Sequence, residues 1–554
     1  MQRDPDPDPA ATSSWRVPID IRRLSWVRRL AADYAYDFDR LASFFSGNPA
    51  DLAAWREAAA RAQRQPRERE RLVAVIADQQ GRREAPPEAR EAAAKLADPR
   101  AVAVVTGQQA GLFGGPFYTL LKAITAIKVA ARVAAEVGVP AVPVFWVEGE
   151  DHDWNEVNAC RVLDAEMQPQ TVSLGTPLGA GEGPVASVRL DPAIFAAIDI
   201  LRSTLPPTEF TDELLERLSG AYQPGFGMSE AFGRWLESVL GRLGLVVYDA
   251  SDPGAKPLAA AVFARELEAP GESTRLALET GRALVDLGYH AQVVPHPDNI
   301  ALFRLDGIRR TIHYRDGQFV LGDHEVVPPG ALRQEALSEP AFFSPNVLLR
   351  PVVQDALFPT VCYVAGPNEL AYLAQLKPIY ERFRVAEPLF VPRATATLLD
   401  SAGARFLTRY DLALETLQPD DEAALNRLLE AQLPSSVEEA LRDAAAAVEE
   451  RMGRLVEAVP AIDPTLERTA RSALGRMQHD LRTLHEKIIH AAKRRDETLR
   501  RQFNRTRALA FPGGHPQERT VAFVYFLNRY GPALVDRLHE DLPIDMGTHW
   551  VITI

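Results

Sequence analysis

Apolar and polar positions alternate between two periods along the chain, and the changes of period mark its elements. The run Ala101-Val-Ala-Val-Val-Thr106 is apolar and β-branched, so it predicts a buried strand. It empties into a glycine-rich loop, Gly107 to Gly115, and Pro116 opens a helix running to about Val137, with Gly138 as its stop. A second strand, Ala141 to Val147, completes a βαβ unit, the first half of a doubly wound parallel sheet. A helix from Met228 leads through Gly244 into the strand Leu245 to Tyr248, and Thr360 to Ala365 reads as a further strand ending at Gly366-Pro-Asn-Glu369. From Pro434 the period becomes helical. Val437, Leu441, Ala444, Val448, Met452, Leu455 and Val459 recur at spacings of three and four, as do Ala470, Leu474, Met477, Leu481, Leu484, Ile488 and Ala491. Pro460 and Pro464 mark the turn, which predicts an antiparallel coiled-coil hairpin.

The resulting fold class is α/β, a Rossmann-like doubly wound sheet with connecting inserts plus a helical coiled-coil domain. Residues 1–160 are expected to hold N-terminal helices and the first half of the core, with residues 1–14 disordered because prolines alternate with aspartates. A connecting insert spans 161–230. The second half of the core spans 231–400 with a β-rich insert near 285–335, the coiled coil 401–510, and a tail docking on the core 511–554.

At 554 residues the chain exceeds one compact core. A net charge of -13 argues against nonspecific nucleic-acid binding, which needs a basic surface. Two distant cysteines, Cys160 and Cys362, give no disulfide framework and no thiolate metal site, in keeping with a reducing cytoplasm. Cys362, inside a strand, reads as a small core residue rather than a nucleophile. No run of 18 uncharged apolar residues occurs and the first residues carry no apolar leader, so a cytoplasmic protein without a membrane span is expected. Seven lysines stand against 55 arginines, which draws attention to each lysine, above all Lys122 beside the glycine loop.

Three segments carry candidate chemistry. In the first, Gly107, Gly114 and Gly115 allow a ligand to approach the main chain, and the helix N-terminus after Pro116 would face an anion. Neither the Walker A nor the GxGxxG spacing is met, so a ligand-free turn is the competing reading. Tyr118, Lys122 and Thr125 share a helix face, and Lys122 reads either as a phosphate partner or as a solvated charge. The second segment places Glu148, Glu150, Asp151, His152, Asp153 and Glu156 at a strand end. Their mutual repulsion asks for a cation, an amine or hydrogen-bond donors, so a metal site, an amine site with His152 as acid or base, and a solvated acidic loop all stay open. The third runs through Gln354, Asp355, Tyr363, Gly366 and Glu369 around an apolar strand.

Taken in order, Val105-Thr106-Gly107-Gln108-Gln109 through Pro116, Tyr118 and Lys122, then Pro143 to Asp153, then Gln354 to Val361 and Gly366 to Tyr372, resemble the bacillithiol biosynthesis cysteine-adding enzyme family (BshC). The likeness extends to Leu389-Phe-Val-Pro-Arg393 and to Pro516-Gln-Glu-Arg519, and so spans nearly the whole chain. It implies a ligase that joins the carboxyl of L-cysteine to the glucosamine amine of glucosaminyl malate. It also implies a bound nucleotide, ATP or ADP, and a core related to class I aminoacyl-tRNA synthetases, although their HIGH and KMSKS signatures are missing.

On this basis Glu150, Asp151, His152 and Asp153 are the expected catalytic group. Thr106, Gly107, Gln108, Gln109, Gly114, Gly115, Tyr118, Lys122, Gln354, Asp355, Tyr363, Gly366 and Glu369 are expected to bind substrate. Arg393 and Arg519 are expected at a separate nucleotide pocket, and no resident metal is expected. A homodimer would follow from an exposed apolar stripe on the hairpin. A metal-dependent hydrolase using Asp151, His152 and Asp153, and a non-enzymatic coiled-coil scaffold, are the alternatives.

Overall fold

A computed structural model describes residues 16–177, 179–322, 324–419, 422–431, 435–495 and 497–554. The stretch 1–14, expected to be disordered, lies outside the described residues. The chain forms two units, one of residues up to 398 together with 516–552, the other of residues 399–515.

The first unit is organised by a five-stranded parallel sheet. Its strands are β1 (Val102–Gln109), β2 (Ala141–Glu148), β3 (Val246–Asp249), β4 (Thr360–Ala365) and β5 (Leu389–Pro392), in the order β5-β4-β1-β2-β3. The chain therefore winds outward from β1 on one side, then returns to start again on the other. The reversal falls between β1 and β4, where doubly wound sheets leave a crevice at the carboxyl ends of their strands. β1 is buried on both faces, which is why its sequence is a continuous apolar run rather than an alternating one. Helix α1 (Phe117–Glu136) follows β1 and buries most of its first three turns. The β1–β2 register ends on Gln109 opposite Glu148, so two polar strand ends lie side by side.

Helix α2 (Met228–Leu240) packs its Phe232 against Phe145 of β2. Between β3 and β4 the chain builds a separate antiparallel sheet from Asn299 to Leu321, edged by Glu325–Val327 on one side and Phe343–Pro345 on the other. Helix α3 (Arg350–Leu357) leads into β4. The tail returns to this unit: Thr548–Thr553 pairs with both Arg16–Asp20 and Thr395–Leu399.

In the second unit, α4 (Ser435–Ala458) and α5 (Leu466–Arg495) form the helical hairpin, joined by a short turn at Val459–Ala461. Val456, Ala470 and Ile489 are buried, whereas Leu455, Met477 and Leu484 are each more than two-fifths exposed. The stripe read from the sequence is therefore off by about one position near the turn and at mid-helix, because the covered seam there runs through neighbouring residues. Among the described residues no helix is long and apolar enough to cross a membrane.

One buried group in the first unit has a pH signature. Glu387 is 7% exposed, its Oε1 has no hydrogen-bond partner, and burial pushes its carboxyl up to about 8, partly opposed by Lys377 and Arg61. A carboxyl whose folded value is raised contributes stability in full below its ordinary range near 4.5, and that contribution is lost as pH climbs through 8. Glu387→Gln is expected to flatten this decline and to gain about 1–3 kcal/mol at pH 8. Thermal melts of both proteins from pH 4 to 8.5 check it, and parallel curves would refute it.

Candidate active site

The crevice between β1 and β4 opens into a cavity of about 250 Å³ lined by Gln108, Tyr118, Lys122, Gly366, Glu369, Tyr372, Arg393 and Arg519, among others. Lys122 is its organising residue. It stands on the second turn of α1, and its side chain is 2% exposed. Its Nζ donates to the Gly107 carbonyl (2.8 Å) and to Gln108 Oε1 (3.1 Å), and it is ion-paired with Glu369. Burial pulls this ammonium below its ordinary range, and Glu369 opposes the shift. The alternative of a solvated Lys122 is thereby corrected: the helix face that carries it turns inward against the end of β1.

Glu369 is fixed in turn by the Gly366 N–H (3.1 Å) and the Tyr363 hydroxyl (3.4 Å), just past the end of β4. Two guanidinium groups lie near the Tyr118 ring, Arg393 at 5.5 Å and Arg519 at 5.7 Å from its centroid. Arg393 is committed to a two-pronged pair with Glu518 (3.0 and 2.7 Å), whereas Arg519 is exposed and has no carboxylate partner among the described residues. The two arginines expected at a separate nucleotide pocket thus line the same cavity as Lys122. They converge because β5 ends beside β4 and because the tail segment Gln517–Thr520 lies against α1.

The glycine loop is a different object from the cradle expected of it. Gly107 belongs to β1, and a side chain there would press on the Trp146 carbonyl at 2.9 Å. Leu112, Phe113 and Gly114 are fully buried, Gly114 lies under the Phe523 ring, and the Phe117 N–H donates to the Val521 carbonyl (2.8 Å). Gly115 accepts from the Phe523 N–H (3.2 Å). The start of α1 is therefore closed by the tail, and its amides are not presented to a ligand. Gly114 and Gly115 serve a packed turn, with φ of +95° and +75°. Thr106, Gln354 and Asp355 are also absent from the lining of the Lys122 cavity. The Thr106 hydroxyl donates across the sheet to Val364 (2.9 Å), Gln354 donates to Asp355 (2.9 Å), and Asp355 accepts from Tyr380 (2.6 Å), with burial pushing it up to about 6.

The acidic turn after β2 is neutralised by partners from distant elements. Asp151 takes Arg309 Nη1 (2.8 Å), Gln109 Nε2 (3.1 Å) and the His152 N–H (2.8 Å). Burial raises its pKa, but Arg309 and these donors outweigh it and keep the carboxyl below its ordinary range. Glu148 is half-buried and shifted upward by its partial desolvation, with Arg350 3.9 Å away opposing the shift. His152 is half exposed, with Nδ1 3.2 Å from Asp151 and 3.0 Å from Arg309. Asp153 caps the short helix that starts at Trp154, accepting the Asn155 N–H (3.1 Å). Glu150 turns the other way, into an ion pair with Lys256.

The four expected catalytic side chains thus have four different settings. Lys256, Arg309 and Arg350 were absent from the sequence-based set; only the scarcity of lysine pointed at Lys256. Among the described residues no group of three or more His, Cys, Asp or Glu is arranged to hold a metal ion.

A classic-order parallel sheet with a charged crevice at its switch point, followed by a helical hairpin, defines a Rossmann-like protein with a coiled-coil unit. Family comparison divides the chain at nearly the same point but assigns the tail to the second part: residues 18–394 match the bacillithiol biosynthesis BshC N-terminal Rossmann-like domain, and residues 396–554 match the BshC C-terminal coiled-coil domain. The chain belongs to the bacillithiol biosynthesis BshC family. A relative from Salinibacter ruber is 35% identical, covering 99% of this chain and all of that protein. Relatives from Solibacter usitatus (32%; 95% and 97% of the two chains) and Koribacter versatilis (33%; 94% and 96%) are similar over nearly the same span. All three carry the name "Putative cysteine ligase BshC".

Proposed function

We propose that the chain is a cysteine ligase of bacillithiol biosynthesis, forming an amide between the carboxyl of L-cysteine and the glucosamine amine of glucosaminyl malate. The observation that carries this reading is the switch-point cavity, where Lys122, paired with Glu369, and Arg393, paired with Glu518, are joined by Arg519, which has no carboxylate partner among the described residues, beside a turn rich in acids. Such a cavity attracts an anionic group, and the turn attracts an amine. Malyl carboxylates and nucleotide phosphates share the chemistry that the three cations recognise. Arg519, which has no carboxylate partner among the described residues, and the Tyr118 ring beneath it fit a nucleotide. When bound, ATP would supply the activation that a free carboxylate lacks as an electrophile.

The chain's own residues would manage the proton. As the amine nitrogen bonds to the cysteine carbonyl carbon, it sheds a proton and the carboxyl oxygen departs with its activating group. His152, whose ring sits beside both Asp151 and Arg309 on this turn, is the acceptor in this scheme, and Asp151, held ionised by Arg309, would stabilise the imidazolium that forms. Exposed Leu455, Met477 and Leu484 support a homodimer through the hairpin, readable by sedimentation.

The decisive experiment incubates the full chain with cysteine, glucosaminyl malate and ATP, and follows the amide and AMP or ADP by mass spectrometry. No amide under any nucleotide condition, with cell extract added, would overturn the ligase reading. Arg519→Ala is expected to leave the melting temperature unchanged and to weaken binding of the anionic ligand about tenfold, about 1.4 kcal/mol. Separate titrations with glucosaminyl malate and with ATP show which of them responds.

A further inference from the structure

A second cavity, of about 380 Å³, lies at the ends of β2 and β3 and shares no lining residue with the first. Its deepest charges are Lys256 and Glu150, each 4% exposed and paired with one another, with Lys256 Nζ also donating to the Phe343 carbonyl (2.8 Å). Ser229, on the first turn of α2, also lines it. This serine is 2% exposed, and its Oγ has no hydrogen-bond partner. A buried hydroxyl left unpaired is costly, so one on a residue that lines a cavity points to a ligand that pairs with it. Across from it the Asp249 carboxylate accepts from Ser251 Oγ (2.5 Å) and the Ser251 N–H (2.9 Å). Residue 149 is glycine where any side chain would collide with Ser229 Oγ, which keeps the hydroxyl clear.

The cavity thus offers a buried ammonium paired with a buried carboxylate, a half-buried carboxylate and an unpaired hydroxyl within a volume suited to a small molecule. A ligand of one sign that entered the Lys256–Glu150 pair would leave one of the two charges without a partner, whereas a zwitterion supplies a partner to each. We propose that this cavity seats the amino-acid donor, its α-ammonium toward Glu150 and Asp249 and its polar remainder on Ser229. The identity of the donor as L-cysteine rests on the ligase reading above. The placement suits that reaction, because both cavities flank one turn. Glu150 faces the second cavity, while the next residue, Asp151, is bonded to Gln109, whose neighbour Gln108 lines the first.

Calorimetric titration of the full chain with L-cysteine, and separately with glucosaminyl malate, tests the placement. Ser229→Ala is expected to raise the Kd for cysteine at least tenfold while the melting temperature stays level or rises, since an unpaired hydroxyl has been removed. Ser187→Phe, at the exposed rim, is expected to abolish cysteine binding and leave glucosaminyl malate binding unchanged. No cysteine binding by the wild type, or an unchanged Kd in both variants, would overturn the proposal. Amide synthesis with an unaltered KM for cysteine in both variants would overturn it and leave the ligase reading standing. Cysteine binding lost in the variants, with no amide from any protein, would uphold the cavity and overturn the ligase.

Discussion

Lys122→Met is expected to lower kcat/KM for amide formation by at least about 100-fold, near 2.7 kcal/mol, with the protein still folded. Methionine keeps most of the unbranched stem that lies inside α1, so the packing volume is nearly retained. The ammonium is lost, and with it the tie between the end of β1, through the Gly107 carbonyl and Gln108, and Glu369 beyond the end of β4. The Glu369 side chain is 26% exposed, so its carboxylate can be rehydrated instead of being stranded, which spares the fold. Lys122→Arg is not expected to rescue activity, because a planar fork does not reproduce a point charge between three acceptors. Steady-state kinetics alongside circular-dichroism melts decide the matter. Activity within threefold of wild type would remove Lys122 from the site.

Gly114→Ala should produce the largest loss of stability, about 3 kcal/mol or more, from two causes that add. The residue has φ of +95°, where an L side chain is strained, and its new Cβ would collide with the Phe523 ring and stand 2.9 Å from Trp235 Nε1. Gly115→Ala shares the strain but meets only Thr119 Oγ1 at 3.4 Å and Gly111 at 3.9 Å, so a smaller loss is expected. Denaturant midpoints rank the two. Were Gly114→Ala to raise KM with its midpoint unchanged, the loop would be contacting a ligand after all, and the packed turn would be wrong.

These two residues also show what the sequence discloses and what it hides. β1, α1, β2 and β4 are legible because each carries its own period, an apolar run or a helical stripe, over a short window. The location of the site follows from them, since parallel strands must end somewhere and polar residues gather at those ends. The partners are another matter. Lys256 lies 106 residues from Glu150 and Arg309 lies 158 from Asp151, and no local pattern connects such pairs. The glycine loop misleads for the same reason: its composition fits an anion cradle, but the chain that seals it, Val521 to Phe523, comes some 400 residues later. Arg393 and Arg519 are legible as residues of interest through family resemblance alone, and only the fold brings both to Tyr118.

The pairing of Arg16 with Ile552 has a consequence for how the protein is made. During synthesis every strand of the parallel sheet has left the ribosome once about residue 400 is exposed, yet Thr548–Thr553, the central strand that joins Arg16–Asp20 to Thr395–Leu399, has not been translated. Nor have Val521, which closes the start of α1, or Glu518, which neutralises the buried Arg393. The nascent Rossmann-like unit must therefore wait, with its first helix uncapped and a buried charge unpaired, while the whole hairpin is polymerised. Premature termination between about residues 400 and 517 would yield a chain that has all of its strand-end acids and Lys122 and still lacks a closed site.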